Sequence, residues 1–119
     1  MFSRTAFTFR VLALYGKPDA VAVVRDKYAS LRSRTEVLLI YRKSGVIARL
    51  YVPGEKIVAV TPLSLCQSIT YLNTETFDKT LIRYINRYQP SYRLTLKETE
   101  QPWLGYGWYA DLQSSEAAR

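Results

Sequence analysis

Segment 7–15 opens the hydrophobic pattern. Phe7, Phe9, Val11 and Ala13 fall on one side and Thr8 and Arg10 on the other, in a run rich in aromatic and β-branched residues, which predicts a strand. Gly16-Lys17-Pro18-Asp19 breaks that strand and sets a proline at a first-turn position beside an acid, as at a helix start. Val21, Val24, Tyr28 and Leu31 follow at spacings of three, four and three, the apolar stripe of a helix over 18–34. Val21, Val23 and Val24 weigh against it, because β-branched residues are poor helix formers.

Segment 36–43 is a nearly continuous apolar strand, and Ser44-Gly45 turns tightly into 46–52, so the two form a hairpin. Pro53-Gly54 turns the chain again into 56–61, completing a three-stranded meander. Beyond Thr61-Pro62 the pattern divides. Leu63, Leu65, Cys66 and Ile69 fit a short helix, whereas 69–72 fit an extended strand, and the helix is the preferred reading. Asn73 or Thr74 caps a second helix, with Glu75 and Asp78 in its first turn, where the helix dipole favours anions. Phe77, Leu81, Tyr84, Ile85 and Tyr88 gather on one face of it, and Gln89-Pro90 ends it. Segment 91–97 alternates as a half-exposed strand, with Tyr92, Leu94 and Leu96 inward and Arg93, Thr95 and Lys97 outward.

The resulting order is β-α-β-β-β-(α)-α-β. Each helix has one apolar stripe to cover and the last strand has one wet face, so the economical packing is two helices on one face of a mainly antiparallel sheet. The expected class is α+β, and the first topology is a ferredoxin-like split β-α-β sheet with an added strand. The 119 residues fit a single domain over 1–112, with 113–119 as a frayed, disordered end.

Composition narrows the chemistry more than the fold. With 48% hydrophobic residues the chain has enough apolar surface to fold. It has no histidine, which removes the commonest general base, Ser-His-Asp and Cys-His pairs, and His-containing zinc sites. Cys66 is the single cysteine, so no intrachain disulfide or cysteine-rich metal site can form; set among Leu63, Leu65 and Ile69, it reads as a buried, inert thiol. The five glycines are dispersed, leaving no phosphate-binding loop, and the carboxylates are scattered. The expectation is a protein without catalytic residues, cofactor or metal, because activity needs a constellation and none is present. Arg42 and Lys43 interrupt the strongest apolar run, and residues 1–10 lack the pattern of a secretory signal, so neither a membrane partner nor export is expected and the address is cytoplasmic.

Charge is unevenly spread. Residues 1–97 hold sixteen basic and six acidic side chains, +10, whereas 98–119 hold one and four, −3. A basic body attracts phosphate or another acidic surface. Lys79, Arg83 and Arg87 recur at i, i+4 and i+8 opposite the apolar face of the second helix, with about 6 Å between steps at the α-helical rise, a spacing comparable with phosphates along one nucleic-acid strand. An ordinary solvated face has the same appearance. Arg42 and Lys43, with Arg49 on the paired strand, can extend the basic patch, and Tyr41, Tyr51 and Tyr92 are candidate stacking surfaces for bases, although core packing claims many tyrosines. The leading expectation is a non-enzymatic nucleic-acid-binding protein, for single-stranded DNA or RNA, with little sequence preference. The alternative is an adaptor, inhibitor or assembly factor that docks on an acidic protein through Trp103, Tyr106, Trp108 and Tyr109, or through an open sheet edge. Those rings serve equally as core, and the nearby acids Glu98, Glu100 and Asp111 can compete with a polyanion for the basic body.

Overall fold

The computed structural model describes residues 6–26, 34–52, 57–88 and 100–110. The strand expected over 7–15 is confined to β1 (Ala6–Phe7), and the chain then enters α1 (Thr8–Tyr15). Thr8, Val11, Leu12 and Tyr15 recur at i, i+3, i+4 and i+7 and form the inward side, while Phe9, Arg10, Ala13 and Leu14 face solvent. The first helical amides find carbonyls: the Thr8 and Phe9 N–H groups donate to Ser64 O (2.9 Å) and Pro62 O (3.0 Å), and the Thr8 hydroxyl also donates to Ser64 O at 2.7 Å. Gly16, with φ 81°, closes the helix by donating its N–H to Leu12 O.

The helix expected over 18–34 is replaced, as far as the described residues run, by β2 (Ala20–Asp26). Ala20 through Val24 are all buried, on alternating sides. A strand covered on both faces reads as a continuous apolar run, and within such a run a spacing of three or four carries no helical meaning. β3 (Arg34–Tyr41) and β4 (Val46–Val52) form the expected hairpin, with Val37 opposite Leu50 and Ile40 opposite Ile47. The third strand of the meander, β5 (Ile57–Val60), leaves the sheet and pairs elsewhere. The short helix preferred for 63–72 is instead β6 (Leu65–Tyr71), antiparallel to β4. Its register shifts so that Arg49 faces Ser68 and Leu50 faces Cys66, leaving Gln67 as the extra residue of a bulge. A 3-10 turn (Thr74–Thr76), whose first amides are capped by Asn73 Oδ1 accepting from Glu75 N–H, leads into α2 (Phe77–Tyr88), the second helix expected. β7 (Glu100–Gln101) and β8 (Gly107–Ala110) follow. The strand expected over 91–97 and the frayed end 113–119 lie outside the described residues.

The protein is α+β, with a mainly antiparallel sheet and two helices. The large sheet runs β1-β6-β4-β3-β2-β7, and β5 and β8 form a second, two-stranded sheet. Every pairing among the described residues is antiparallel, so the parallel pair of a split β-α-β unit is not among them. The helices divide between the two faces of the large sheet. On the first face Val21, Val23, Val37, Leu39, Ala48 and Leu50 pack with Val11 of α1, Val58 and Val60 of β5, and Tyr109 of β8. On the second, Ala20, Ala22, Val24, Leu38, Ile40 and Ile47 pack with Phe77 and Leu81 of α2. β5 and β8 occupy the first face as a cover, which leaves the second to α2.

Candidate nucleic-acid interface

The basic ridge is built by the packing of α2. Phe77 and Leu81 are buried against the second face of the sheet, and that anchor turns Lys79 and Arg83 outward into solvent. Arg87 continues the spacing on the same helix, and its side chain lies outside the described residues. Among the described residues neither Lys79 nor Arg83 has an acid within ion-pair distance. Lys43 is likewise exposed, in the turn between β3 and β4.

Arg42 has a different role from the one its sequence position suggests. Its Nε donates to Asp78 Oδ1 of α2 at 2.6 Å, its Nη2 donates to Glu100 Oε1 of β7, and its backbone N–H donates to Asp19 Oδ2 at 2.6 Å. Burial works against the guanidinium charge, and Asp78 and Glu100 outweigh it, so the pKa rises. Arg42 is a junction between α2, β7 and the loop before β2, and Glu100 is engaged there rather than folded over a basic site. Glu98 and Asp111 lie outside the described residues. Arg49, on the second face, stands 3.7 Å from Glu36, a carboxylate left only 6% exposed.

The tyrosines separate by strand parity. Tyr41 points to the first face and is buried, its hydroxyl donating to Gly16 O at 2.9 Å, so it is a core residue and not a stacking surface. Tyr51 points to the second face, half-buried, opposite Glu36 and Leu65. Tyr92 lies outside the described residues. Burial pushes the Cys66 thiol up from its ordinary pKa and keeps it protonated.

The aromatic segment is split between core and surface. The Tyr109 ring is buried and stacks on Trp103 at 5.9 Å, and its hydroxyl accepts from Leu104 N–H (2.9 Å) and donates to Gly105 O (2.6 Å). Trp103 meets Tyr106 edge-on at 5.8 Å. Trp108, the adjacent residue on β8, points the other way and is 74% exposed; Leu104 and Tyr106 are also exposed.

A second exposed cluster was not singled out by the periodicity of the sequence. Phe7 and Phe9 stack with centroids 5.9 Å apart and planes at 15°, and Leu63 and Leu65 are exposed in the adjoining turn and strand. The signal is pairing register, which appears only when β1 is placed beside β6. Among the described residues no three acidic or thiol side chains converge closely enough to hold a metal ion, and no helix there is long and apolar enough to cross a membrane. No family model, no curated protein and no solved structure matches the chain.

Proposed function

We propose that the protein binds single-stranded nucleic acid through backbone phosphates, without catalysing a reaction on it and with little sequence preference. The observation that supports this reading is the ridge on α2: Lys79 and Arg83 face solvent with no acidic partner among the described residues, on a helix whose opposite side is fixed in the core. Cations of this kind neutralise phosphates and release counterions, which makes binding sensitive to salt and indifferent to sequence. Arg42 and Arg49 belong to the fold before they belong to the ligand, because acids already hold them. A cytoplasmic address is part of the proposal. The test is fluorescence anisotropy of labelled single-stranded DNA and RNA across a salt series. Affinity should fall steeply with salt, and changing Lys79, Arg83 and Arg87 together to Glu should abolish it with the melting temperature nearly unchanged. Salt-insensitive binding, or binding indifferent to the triple change, would overturn the reading.

The exposed Trp108 favours a second reading, in which the outer face of β8 anchors an acidic protein partner. Under that reading Trp108→Ala weakens partner binding by about 2 kcal/mol or more and leaves the nucleic-acid affinity alone.

A further inference from the structure

The register of the large sheet gathers residues that the phosphate reading does not use. β1 sets Phe7 opposite Leu65, and β4 sets Tyr51 opposite the same Leu65. Directly opposed residues share a face, so Phe7, Leu65 and Tyr51 form one row across three neighbouring strands, on the face that α2 covers farther along. Phe7 is 41% exposed and Leu65 47%. Phe9 extends the row around the sheet edge by laying its ring nearly parallel to that of Phe7. Leu63 projects from the turn whose Pro62 carbonyl accepts the Phe9 amide.

Arg10, next to Phe9, places an exposed positive charge beside this surface, and Glu36, opposite Tyr51 on the same face, is only 6% exposed and lies 3.7 Å from Arg49. A ligand that suits the site therefore carries negative charge and flat apolar faces together. A single strand of nucleic acid does so, whereas a duplex keeps its base faces stacked inside and offers a ring only its phosphates. We propose that Phe7, Phe9 and the adjoining Leu65 and Tyr51 form a stacking platform for unpaired bases. The proposal rests on the nucleic-acid reading above and adds to it the selection of single strands over duplex.

The decisive measurement needs no variant. Anisotropy titrations compare a labelled oligothymidine, an abasic strand of the same length and a duplex, each against the full chain at low and moderate salt. Oligothymidine should bind about tenfold or more tightly than the abasic strand, at a similar salt slope. The double change Phe7→Leu and Phe9→Leu keeps apolar volume and removes both rings; it should lower the affinity for oligothymidine to near that for the abasic strand, and Phe7→Tyr with Phe9→Tyr should restore it. Equal wild-type affinity for the thymidine and abasic strands overturns the platform and leaves the α2 ridge standing. So does a leucine variant that binds oligothymidine unchanged, or one that keeps its circular dichroism and loses both strands equally. Failure of the wild type to bind any of the three overturns the phosphate reading itself, and the platform with it.

Discussion

Tyr41 is fixed at both ends, its ring within the core of the first face and its hydroxyl on the carbonyl of Gly16. Burial is the largest cause that pushes its pKa above the ordinary tyrosine value, with Cys66, Tyr106, Asp19 and Tyr15 adding to it. Tyr15 is pushed up to about 12, chiefly because its hydroxyl is hydrogen-bonded to that of Tyr71 at 2.6 Å. A tyrosine whose folded pKa is raised loses its proton first in the unfolded chain, so its contribution to stability is complete below the unfolded value of about 10 and is lost as pH rises through the folded one. Urea unfolding should therefore be pH-independent in this respect up to about pH 10 and weaken beyond it. Tyr41→Phe should cost about 1 kcal/mol at neutral pH, the net value of one hydrogen bond, and should flatten part of the alkaline decline. An equally steep decline in the phenylalanine variant would show that Tyr41 is not its source. Trp103 and Trp108 make the same point about position over residue type. Trp103→Ala removes a ring packed against the core and should cost about 2 to 4 kcal/mol, whereas Trp108→Ala should stay within about 0.5 kcal/mol by thermal denaturation.

Between elements, one turn carries much of the specification. Gly45 has φ +66°, donates its N–H to Arg42 O and accepts from Leu72 N–H at 2.6 Å, and a Cβ there would stand 2.4 Å from Leu72 O. Gly45→Ala should therefore cost more than about 1 kcal/mol in urea unfolding, from positive φ and backbone collision together. Arg42→Ala, which releases α2 and β7 from the same turn, should cost about 1 to 2 kcal/mol, between the values for exposed and buried pairs because Arg42 is partly exposed. A double-mutant cycle with Glu100→Gln should show coupling, since the two side chains touch. The Ser44-Gly45 turn, the β3–β4 hairpin and α2 were legible because each rests on local signals: a turn residue, a continuous apolar run, a capped amphipathic stripe. The helical stripe of α1 was also present, as Thr8, Val11, Leu12 and Tyr15, but Thr8 is polar and exposed Phe9 gave the segment a period of two. β2 was misread for the opposite reason, because a strand buried on both sides has no period at all. The move of β5 to a second sheet depends on its pairing with β8, some fifty residues later, and pairing at that distance leaves no mark on the local pattern. The candidate site divides likewise: the α2 ridge follows from a wheel, while the burial of Tyr41 and the row of Phe7, Leu65 and Tyr51 follow from register.

Over the whole molecule, folding sorts the charges by role. Asp19, Asp78 and Glu100 converge on Arg42, and Glu36 lies beside Arg49, so these acids serve to join elements. Arg10, Lys17, Lys43, Lys79 and Arg83 have no such partner among the described residues and face solvent. The two sets of cations should respond differently to the same substitution. If the ridge meets phosphates as proposed, replacing Lys79, Arg83 and Arg87 together with Gln removes three contacts, and at about 0.7 counterions per contact on a single strand the slope of log K against log salt should fall by about two, with unfolding stability nearly unchanged. Arg42→Gln should do the reverse, lowering the urea midpoint and leaving the salt slope of the remaining folded protein as it was. Measuring slope and stability on the same preparations separates ligand-facing from fold-facing charge. If the Arg42 variant lost slope while the α2 variant kept it, the phosphate site would lie at the junction of α2 and β7 and not on the ridge.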